Sequence, residues 1–345
     1  MHTKLLLYPA FFCLLAFAFS CKKNQQPQPE TVAPPSAIYI AGGIGGNAVY
    51  WKNGIAVNLP VSTPSVSLRN TFANDVFISG DDVYISGDGQ TTKKTDTAFY
   101  WKNDVLSILS GTSEGDQNYA IAVAGSNVYC GGHRYDTSDG QGGVLWKNGA
   151  ANSFGSAQTT VNSITVNNDD VYTSGPDEYS PSGPWIATYY KNQQKVLLYS
   201  NGMRAWAYEV AVSGTDIYVA GSVVDDRDSS FAVYWKNGDM HMIGGAGSGA
   251  SSICVSGSDV YTYGSDLVNG RRTATYWKNN TAVHLVTNAW AESECNQIRV
   301  WGNDVYAVGE AFYTDHGDQA TVWKNGVGTI IGPYVSFAST IAFKP

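Results

Sequence analysis

Two short phrases recur seven times between Ser36 and Pro345. The first is Asp-Val-Tyr-x-x-Gly or a close variant, and the second is Tyr-Trp-Lys-Asn-Gly or a close variant. The first phrase places its tyrosine at intervals of 43 to 46 residues, at Tyr39, Tyr84, Tyr129, Tyr172, Tyr218, Tyr261 and Tyr306. The second phrase places an aromatic residue before Lys-Asn, at Trp51, Trp101, Trp146, Tyr190, Trp235, Trp277 and Trp323. Repeats of about 40–50 residues predict a propeller or another repeat array.

Each repeat unit is predicted to contain four strands joined by tight turns. Gly-x-Asp turns such as Gly80-Asp81-Asp82 connect the first two strands, and Asn-Gly turns such as Asn53-Gly54 connect the last two. Gly, Asn and Asp tolerate positive φ, so these sequences predict short hairpins. Asn192-Gln193 fits that geometry less well, which predicts a looser turn in the fourth unit.

The two ends of the repeat region complement each other. Residues 37–42 match the second strand of a unit, and residues 339–343 match the first strand and then stop. The C-terminal strand is therefore predicted to complete the first blade, which removes the exposed edges of the ring. The predicted fold is all-β, a seven-bladed β-propeller of four-stranded blades over residues 37–345.

Through these phrases the chain resembles the seven-bladed β-propellers of bacterial surface and envelope lipoproteins that are built of Tyr-Trp-Lys-Asn-Gly repeats. The resemblance covers about nine-tenths of the chain. It implies the fold but no activity, since propellers include enzymes, lectins and scaffolds alike.

The N-terminus predicts export and attachment to a membrane. Residues 1–20 combine Lys4 with an apolar stretch from Leu5 to Phe19, whose length suits a signal peptide. The segment before Cys21 resembles the lipobox of bacterial lipoproteins, which implies cleavage before Cys21 and lipidation, including palmitate, on that residue. The alternative is an ordinary secretory signal. Residues 21–36 are rich in Pro and Gln and predict a flexible tether.

This resemblance also implies a location. The residue after Cys21 is not Asp, which resembles the sorting rule for lipoproteins of the Gram-negative outer membrane. The membrane, reached through lipidated Cys21, is one predicted partner. Whether the propeller faces the periplasm or the outside stays open at this point.

Charge and motifs narrow the remaining partners and cofactors. The formal net charge is −8, which argues against nucleic acid because phosphate binding needs a basic face. The sequence has no zinc-binding Cys or His spacing and no P-loop, and its acidic loops lack the terminal Glu of a calcium loop, so no metal or cofactor is predicted. Cys130 and Cys254 are expected to be buried thiols, with a Cys254–Cys295 disulfide as the alternative.

Binding residues are expected on one face of the ring. The long connections, between the second and third strands and between blades, emerge on the same face, and loops on a rigid scaffold carry most binding residues. That face has aromatic residues outside the repeated phrases, where the fold does not require them. The candidate binding residues near the axis, on loops that enter the innermost strands, are Tyr119, Trp206, Tyr208 and Trp290. Those on the outer loops between the second and third strands are Trp185 and Tyr313. Flat aromatic rings beside hydrogen-bonding groups are typical of a sugar-binding face, and the alternative is that they fill gaps between blades.

Acidic residues provide a weaker case for catalysis. Glycoside cleavage needs two carboxylates at a defined separation, and the sequence does not fix that separation. The weak catalytic candidates are Glu209, Glu294, Asp315 and His316. The repeat therefore favours a non-catalytic binding module whose ligand is a glycan or an envelope protein. The alternatives are a polysaccharide-cleaving enzyme, either lyase or glycosidase, and a protein-docking scaffold.

Overall fold

The computed structural model describes residues 32–345 except 94, 110–114, 136–139, 141, 179–184, 286–291 and 314–316, and describes only the backbone at 177, 178, 292, 295 and 313. The described residues form 28 strands in seven four-stranded antiparallel sheets arranged as a ring, with no helix among them. The predicted seven-bladed β-propeller is confirmed. Residues 33–345 form one compact unit.

The blades follow one another along the chain, with the first strand of each blade nearest the ring axis. Blade 1 contains β1 (Ala37–Ile44), β2 (Asn47–Lys52), β3 (Ile55–Asn58) and, innermost, β28 (Ser336–Lys344). Blade 2 contains β4 (Leu68–Ser79), β5 (Asp82–Thr91), β6 (Asp96–Lys102) and β7 (Val105–Ile108). Blade 3 contains β8 (Asp116–Ala124), β9 (Asn127–Arg134), β10 (Gly143–Lys147) and β11 (Ala150–Phe154). Blade 4 contains β12 (Ser163–Asn167), β13 (Asp170–Glu178), β14 (Trp185–Lys191) and β15 (Gln194–Leu197).

The remaining three blades have the same arrangement. Blade 5 contains β16 (Arg204–Ser213), β17 (Asp216–Val224), β18 (Ser230–Lys236) and β19 (Asp239–Met242). Blade 6 contains β20 (Gly249–Ser256), β21 (Asp259–Val268), β22 (Arg271–Lys278) and β23 (Thr281–His284). Blade 7 contains β24 (Glu292–Trp301), β25 (Asp304–Tyr313), β26 (Gly317–Lys324) and β27 (Val327–Tyr334).

The C-terminal strand closes the ring. β28 pairs antiparallel with β1, from Ala37 opposite Lys344 to Ile44 opposite Ser336. Each chain end thereby supplies a strand to the same blade, as the sequence predicts. Closure pairs an edge that would otherwise expose unpaired backbone groups.

Tight turns occupy one face of the ring, here called the tight-turn face, which carries the hairpins after the first and third strands of each blade. Asn53 and Gly54 have φ of 51° and 82°, the left-handed geometry that the Asn-Gly sequence predicts. Asn192 and Gln193 adopt φ of 51° and 64°, so the fourth blade turns in the same way and the prediction of a looser turn is wrong. The opposite face, here called the long-loop face, carries connections such as residues 225–229 and 243–248.

The repeated tryptophans pack between blades. Trp51, Trp101, Trp146, Trp235, Trp277 and Trp323 are at most 1% exposed. Trp235 of blade 5, for example, shares a hydrophobic cluster with Tyr172 and Leu198 of blade 4. Seven clusters of this kind join neighbouring blades around the ring.

A polar cluster on the tight-turn face explains why the two phrases recur together. Lys236 lies directly opposite Tyr218 in the β17–β18 pair, and its Nζ lies 5.3 Å from the tyrosine ring centre and 2.9 Å from Asp216. The Asn237 amide accepts a hydrogen bond from the Ile217 N–H and donates one to Asp216. The Asp–Lys and Asp–Asn contacts recur in blades 2, 4, 6 and 7. The first phrase therefore supplies the acceptors that the second phrase needs.

Most innermost strands contain a β-bulge, which turns one additional side chain towards the axis. The bulged residues are Asn74, Tyr119, Tyr208, Ser251, Asn296 and Ser339. Asn162 precedes β12 at the corresponding position of blade 4. The glycine of the first phrase allows this geometry: a Cβ on Gly221 would lie 2.0 Å from the Trp206 carbonyl oxygen and 2.6 Å from Cζ3 of Trp235.

Candidate functional site

A ring of side chains connects the innermost strands around the axis. The residue after each bulge offers an oxygen to a backbone N–H of the next blade: Thr340 to Val76, Asp75 to Ile121, Ser163 to Val210, Glu209 to Ile253, Ser252 to Ile298 and Gln297 to Ile341, at 2.8–3.4 Å. Ala120 occupies the remaining position and has no such oxygen. These seven residues are called the inner ring below. The innermost strand is an edge of its blade, so the inner ring satisfies donors that lack a strand partner.

The Glu209 carboxylate therefore has a structural role. One of its oxygens accepts hydrogen bonds from the Ser252 hydroxyl and the Ile253 N–H, and the other lies 2.8 Å from Nη2 of Arg299. The Glu209 and Arg299 side chains are 12% and 32% exposed. Burial alone would lower the pKa of Arg299, but the charge and hydrogen bond of Glu209 outweigh burial and raise it. Burial raises the pKa of neighbouring Asp75 to about 6, although the Ile121 N–H and Arg299 lower it in part.

A concave site on the long-loop face lies between blades 5 and 6. It has a cavity volume of about 400 Å³, and its chemically distinctive residues are Trp206, Tyr208, Ser222, Ser265, Arg272 and Glu294. This site is called the aromatic pocket below. Trp206, Tyr208 and Glu294 are three of the residues that the sequence singled out. Trp206 and Tyr208 belong to β16 itself rather than to the loop before it, because the innermost strands start earlier than alternation predicts.

Trp185 extends the aromatic surface of the pocket. It begins β14 in blade 4, and its ring stacks beside that of Trp206 with the centres 6.3 Å apart and the planes inclined by 28°. The sequence predicts Trp185 in an outer loop and Trp206 near the axis, whereas the structure brings them together across a blade boundary. Burial raises the pKa of Tyr208, so its hydroxyl stays protonated at neutral pH and can donate a hydrogen bond.

Two charged residues, one from blade 6 and one from blade 7, also line the pocket. Arg272 Nη1 lies 2.7 Å from Glu294 Oε1 in a partly exposed ion pair. Glu310 lies directly opposite Glu294 in the β24–β25 pair and accepts a hydrogen bond from Asn296. Burial, with smaller contributions from the nearby Asp318 and Glu294, raises the pKa of Glu310 to about 7, although the hydrogen bond from Asn296 lowers it in part. Two neighbouring carboxyl groups thus have different environments.

Tyr119 lies apart from the aromatic pocket. Together with Tyr208 it lines a second cavity of about 190 Å³ at the axis. Its hydroxyl donates to Gln117, and burial raises its pKa, with smaller contributions from Asp88 and Tyr135. The predicted binding residues therefore divide between two adjoining cavities.

Several predicted site residues cannot be placed. Cys21, Trp290, Asp315 and His316 lie outside the described residues, and Tyr313 is described only as the backbone end of β25. Cys130 and Cys254 are free thiols, and burial raises the pKa of Cys254 to about 12.

Sequence reasoning missed several contributors to these sites. In the sequence, Arg272 is notable only as half of the adjacent basic pair Arg271-Arg272, and neither Arg299 nor Glu310 was identified. Glu310 had a signal, since it is an acidic residue among the small and apolar residues in the second half of β25. The bulged asparagines had none, because alternation does not reveal a one-residue bulge.

The described residues include no helix that could span a membrane. Among them, no three His, Cys, Asp or Glu side chains lie close enough together to hold a metal ion.

Comparison with known proteins supports the fold and goes no further. No family model matches the chain, and no curated protein matches it in sequence. The tricorn protease aligns with 92% of this chain and 36% of its own length, with a TM-score of 0.51 and 10% identity. The acylaminoacyl peptidase of Pyrococcus horikoshii aligns with 75% of this chain and 46% of its own length, with a TM-score of 0.48 and 11% identity. The chain spans less than half of either protein. At 10% identity, the similarity to the tricorn protease shows the propeller fold alone.

Proposed function

We propose that this protein is an envelope lipoprotein whose propeller binds a glycan, without cleaving it, in the aromatic pocket. The observation that carries the proposal is the pairing of Trp206 with Trp185 beside Tyr208 and the Arg272–Glu294 ion pair. The fold does not require these aromatic residues, since they lie outside the repeated phrases that pack the blades.

The chemistry of the pocket suits a sugar. Aromatic faces pack against the apolar faces of sugar rings, while hydroxyl, carboxylate and guanidinium groups bond to sugar hydroxyls. Ser222, Ser265, Arg272 and Glu294 supply those groups around Trp206. A concave site with a few convergent polar groups favours a small or chain-like ligand over a broad protein surface.

A glycan array and a pull-down assay together distinguish this proposal from the alternative of a protein-docking scaffold. Residues 33–345 form one compact unit and serve as the soluble probe. Specific capture of one glycan class supports the proposal. Capture of envelope proteins with no bound glycan would contradict it and favour a docking scaffold.

Cleavage of a polysaccharide is the second candidate function, because Glu294 and Glu310 face each other across β24–β25. Glycosidases use two carboxyl groups at a defined separation, one of them with a raised pKa, and the pKa of Glu310 is raised to about 7. Release of new reducing ends from a bound polysaccharide, lost in Glu310→Gln, would favour cleavage over binding. Binding with no release in the unaltered protein would favour the non-catalytic module.

Membrane attachment through Cys21 is part of the same proposal. The Ala33 carbonyl accepts a hydrogen bond from the Trp301 indole at the tight-turn face, 2.7 Å away. This contact supports a tether that joins the propeller on the face opposite the aromatic pocket. Cys21→Ala should move the protein from the membrane fraction to the soluble fraction. Unchanged fractionation and mobility would contradict lipidation.

A further inference from the structure

The mouth of the ring axis on the long-loop face is a polar cavity, called the axial well below. Residues at the bulge position surround it: Asn74, Tyr119, Asn162, Tyr208, Ser251 and Asn296. Amide and hydroxyl groups offer both donors and acceptors without a formal charge. The repeated bulge thus gives the well a nearly continuous circle of neutral hydrogen-bonding groups.

The axial well adjoins the aromatic pocket. Tyr208 and Ser251 line both cavities, so a ligand in the pocket between blades 5 and 6 points towards the axis. The well has a volume of about 190 Å³. Since a water molecule takes about 30 Å³ of liquid volume, this is space for one sugar ring and not for a run of them.

Paired charges form the floor of the well. Glu209 lines the well, Arg299 lines a separate cavity on its tight-turn side, and Asp75 lines both. The Glu209–Arg299 ion pair joins blade 5 to blade 7 past blade 6, so it lies between the two cavities. Because the carboxylates are also held by backbone N–H groups of the next blade, a ligand cannot displace them cheaply. This layer of charged groups therefore separates the well from the cavity on its tight-turn side.

We propose that the axial well is a second subsite that receives the terminal unit of a glycan chain whose neighbouring units lie in the aromatic pocket. The protein then recognises a chain end and excludes the middle of a chain. This inference rests on the glycan function proposed above. Neutral amides and hydroxyls in the well favour an uncharged terminal sugar, whereas Arg272 and Glu294 contact the units farther from the end.

Asn162 is the best position for a substitution that blocks the well. Its side-chain amide has no hydrogen-bond partner among the described residues, whereas Asn74 donates to Asp88 and Asn296 donates to Glu310. Asn162→Phe should fill the well without removing an internal hydrogen bond. Asn58→Phe, on the exposed outer strand of blade 1, is the matched control.

The test uses five linear hexasaccharides, namely malto-, cello-, laminari-, xylo- and chitohexaose. Each is titrated calorimetrically into residues 33–345 in three forms: free, blocked at the reducing end, and blocked at the non-reducing end. For a hexasaccharide that binds, we expect a block at one end to weaken binding at least tenfold and a block at the other end to change it less than twofold. Asn162→Phe should weaken binding of the free chain to the level of the blocked chain, while Asn58→Phe should not.

The outcomes separate the two proposals. Equal affinity for all three forms of a bound hexasaccharide would overturn end recognition and leave the glycan function standing. This comparison uses the unaltered protein, so it does not depend on whether Asn162→Phe folds. Binding of none of the hexasaccharides would count against both proposals.

Discussion

At the scale of single residues, the inner ring shows that different side chains can make the same hydrogen bond between blades. Asp75, Ser163, Glu209, Ser252, Gln297 and Thr340 differ in size and charge, but each offers an oxygen to the next blade. When the seven repeats are aligned with one another, this position looks variable. The residue type changes from repeat to repeat, whereas the hydrogen bond is kept. Ala120 alone interrupts the ring.

Filling that gap should stabilise the protein. Ala120→Ser places a hydroxyl where its counterparts accept an N–H bond, and a buried hydrogen bond contributes about 1 kcal/mol. We expect the free energy of unfolding in urea to rise by roughly 0.5–1.5 kcal/mol. Ala122→Ser, at a neighbouring buried site outside the ring, is the control and should give no gain. Equal effects of the two substitutions would argue against the inner ring as a stabilising device.

At the scale of strands, sequence and structure agree where turn chemistry or burial decides the outcome. Asn53-Gly54 and its counterparts require positive φ, and Trp235 and its counterparts require a buried environment, so both could be predicted. The bulges could not, because one extra residue breaks the period-two pattern without a residue type to mark it. The glycine of Asp-Val-Tyr-x-x-Gly was the only indirect sign of the bulge, because a side chain at that position would clash with the backbone of the innermost strand.

The candidate site was predicted only in part for the same reason. Trp206 and Tyr208 were identified because they lie outside the repeated phrases, but their positions on a bulged strand depend on the register. The contact between Trp185 and Trp206 joins two blades, and a blade-to-blade distance cannot be obtained from spacing along the chain. Arg272 and Glu310 acquire their significance only from the neighbours that the fold supplies.

At each bulge, the backbone of the innermost strand lies close to the glycine of the first phrase. We therefore expect this glycine to tolerate no side chain. In Gly221→Ala the new Cβ would meet the Trp206 carbonyl and the buried Trp235 ring, and neither can move freely. Overpacking of this kind costs typically 1–3 kcal/mol, and we expect a loss of at least about 2 kcal/mol in unfolding free energy. Gly245→Ala is the matched control, since nothing lies within 4 Å of its added Cβ. A Gly221→Ala protein as stable as that control would mean that the bulge geometry is wrong.

At the scale of the whole molecule, two sets of carboxyl groups have opposite pH dependence. Burial raises the pKa of Asp75 and Asp88 to about 6 and that of Glu310 to about 7. The protonated form of these groups favours folding, so their contribution is present at low pH and is lost as pH rises through 6 to 7. On the tight-turn face, hydrogen bonds from Lys and Asn lower the pKa of Asp82, Asp170, Asp216, Asp259 and Asp304. Their contribution is lost as pH falls below about 4. Because the loss from the buried carboxyl groups begins once pH rises above their unfolded-state pKa, also about 4, stability should be greatest near pH 4 and decrease on both sides, where about 4 is the ordinary carboxyl pKa.

Glu310→Gln should remove part of this dependence. Glutamine resembles the protonated acid and keeps an oxygen for Asn296. We expect the variant to be more stable than the unaltered protein by about 2 kcal/mol at pH 8 and nearly equal to it at pH 4.5. Urea unfolding at the two pH values measures the difference. The same difference at both values would show that Glu310 does not titrate in this range.

Calorimetric titration of the five hexasaccharides into residues 33–345, beside Trp206→Ala and Tyr199→Ala, tests the central claim most directly. Tyr199 is an aromatic residue of similar size that is 71% exposed and lies outside the aromatic pocket. We expect Trp206→Ala to weaken glycan binding at least tenfold, or about 1.4 kcal/mol, and Tyr199→Ala to leave it unchanged. Glycan binding that survives in a folded Trp206→Ala protein would place the ligand elsewhere and contradict the aromatic pocket as the functional site.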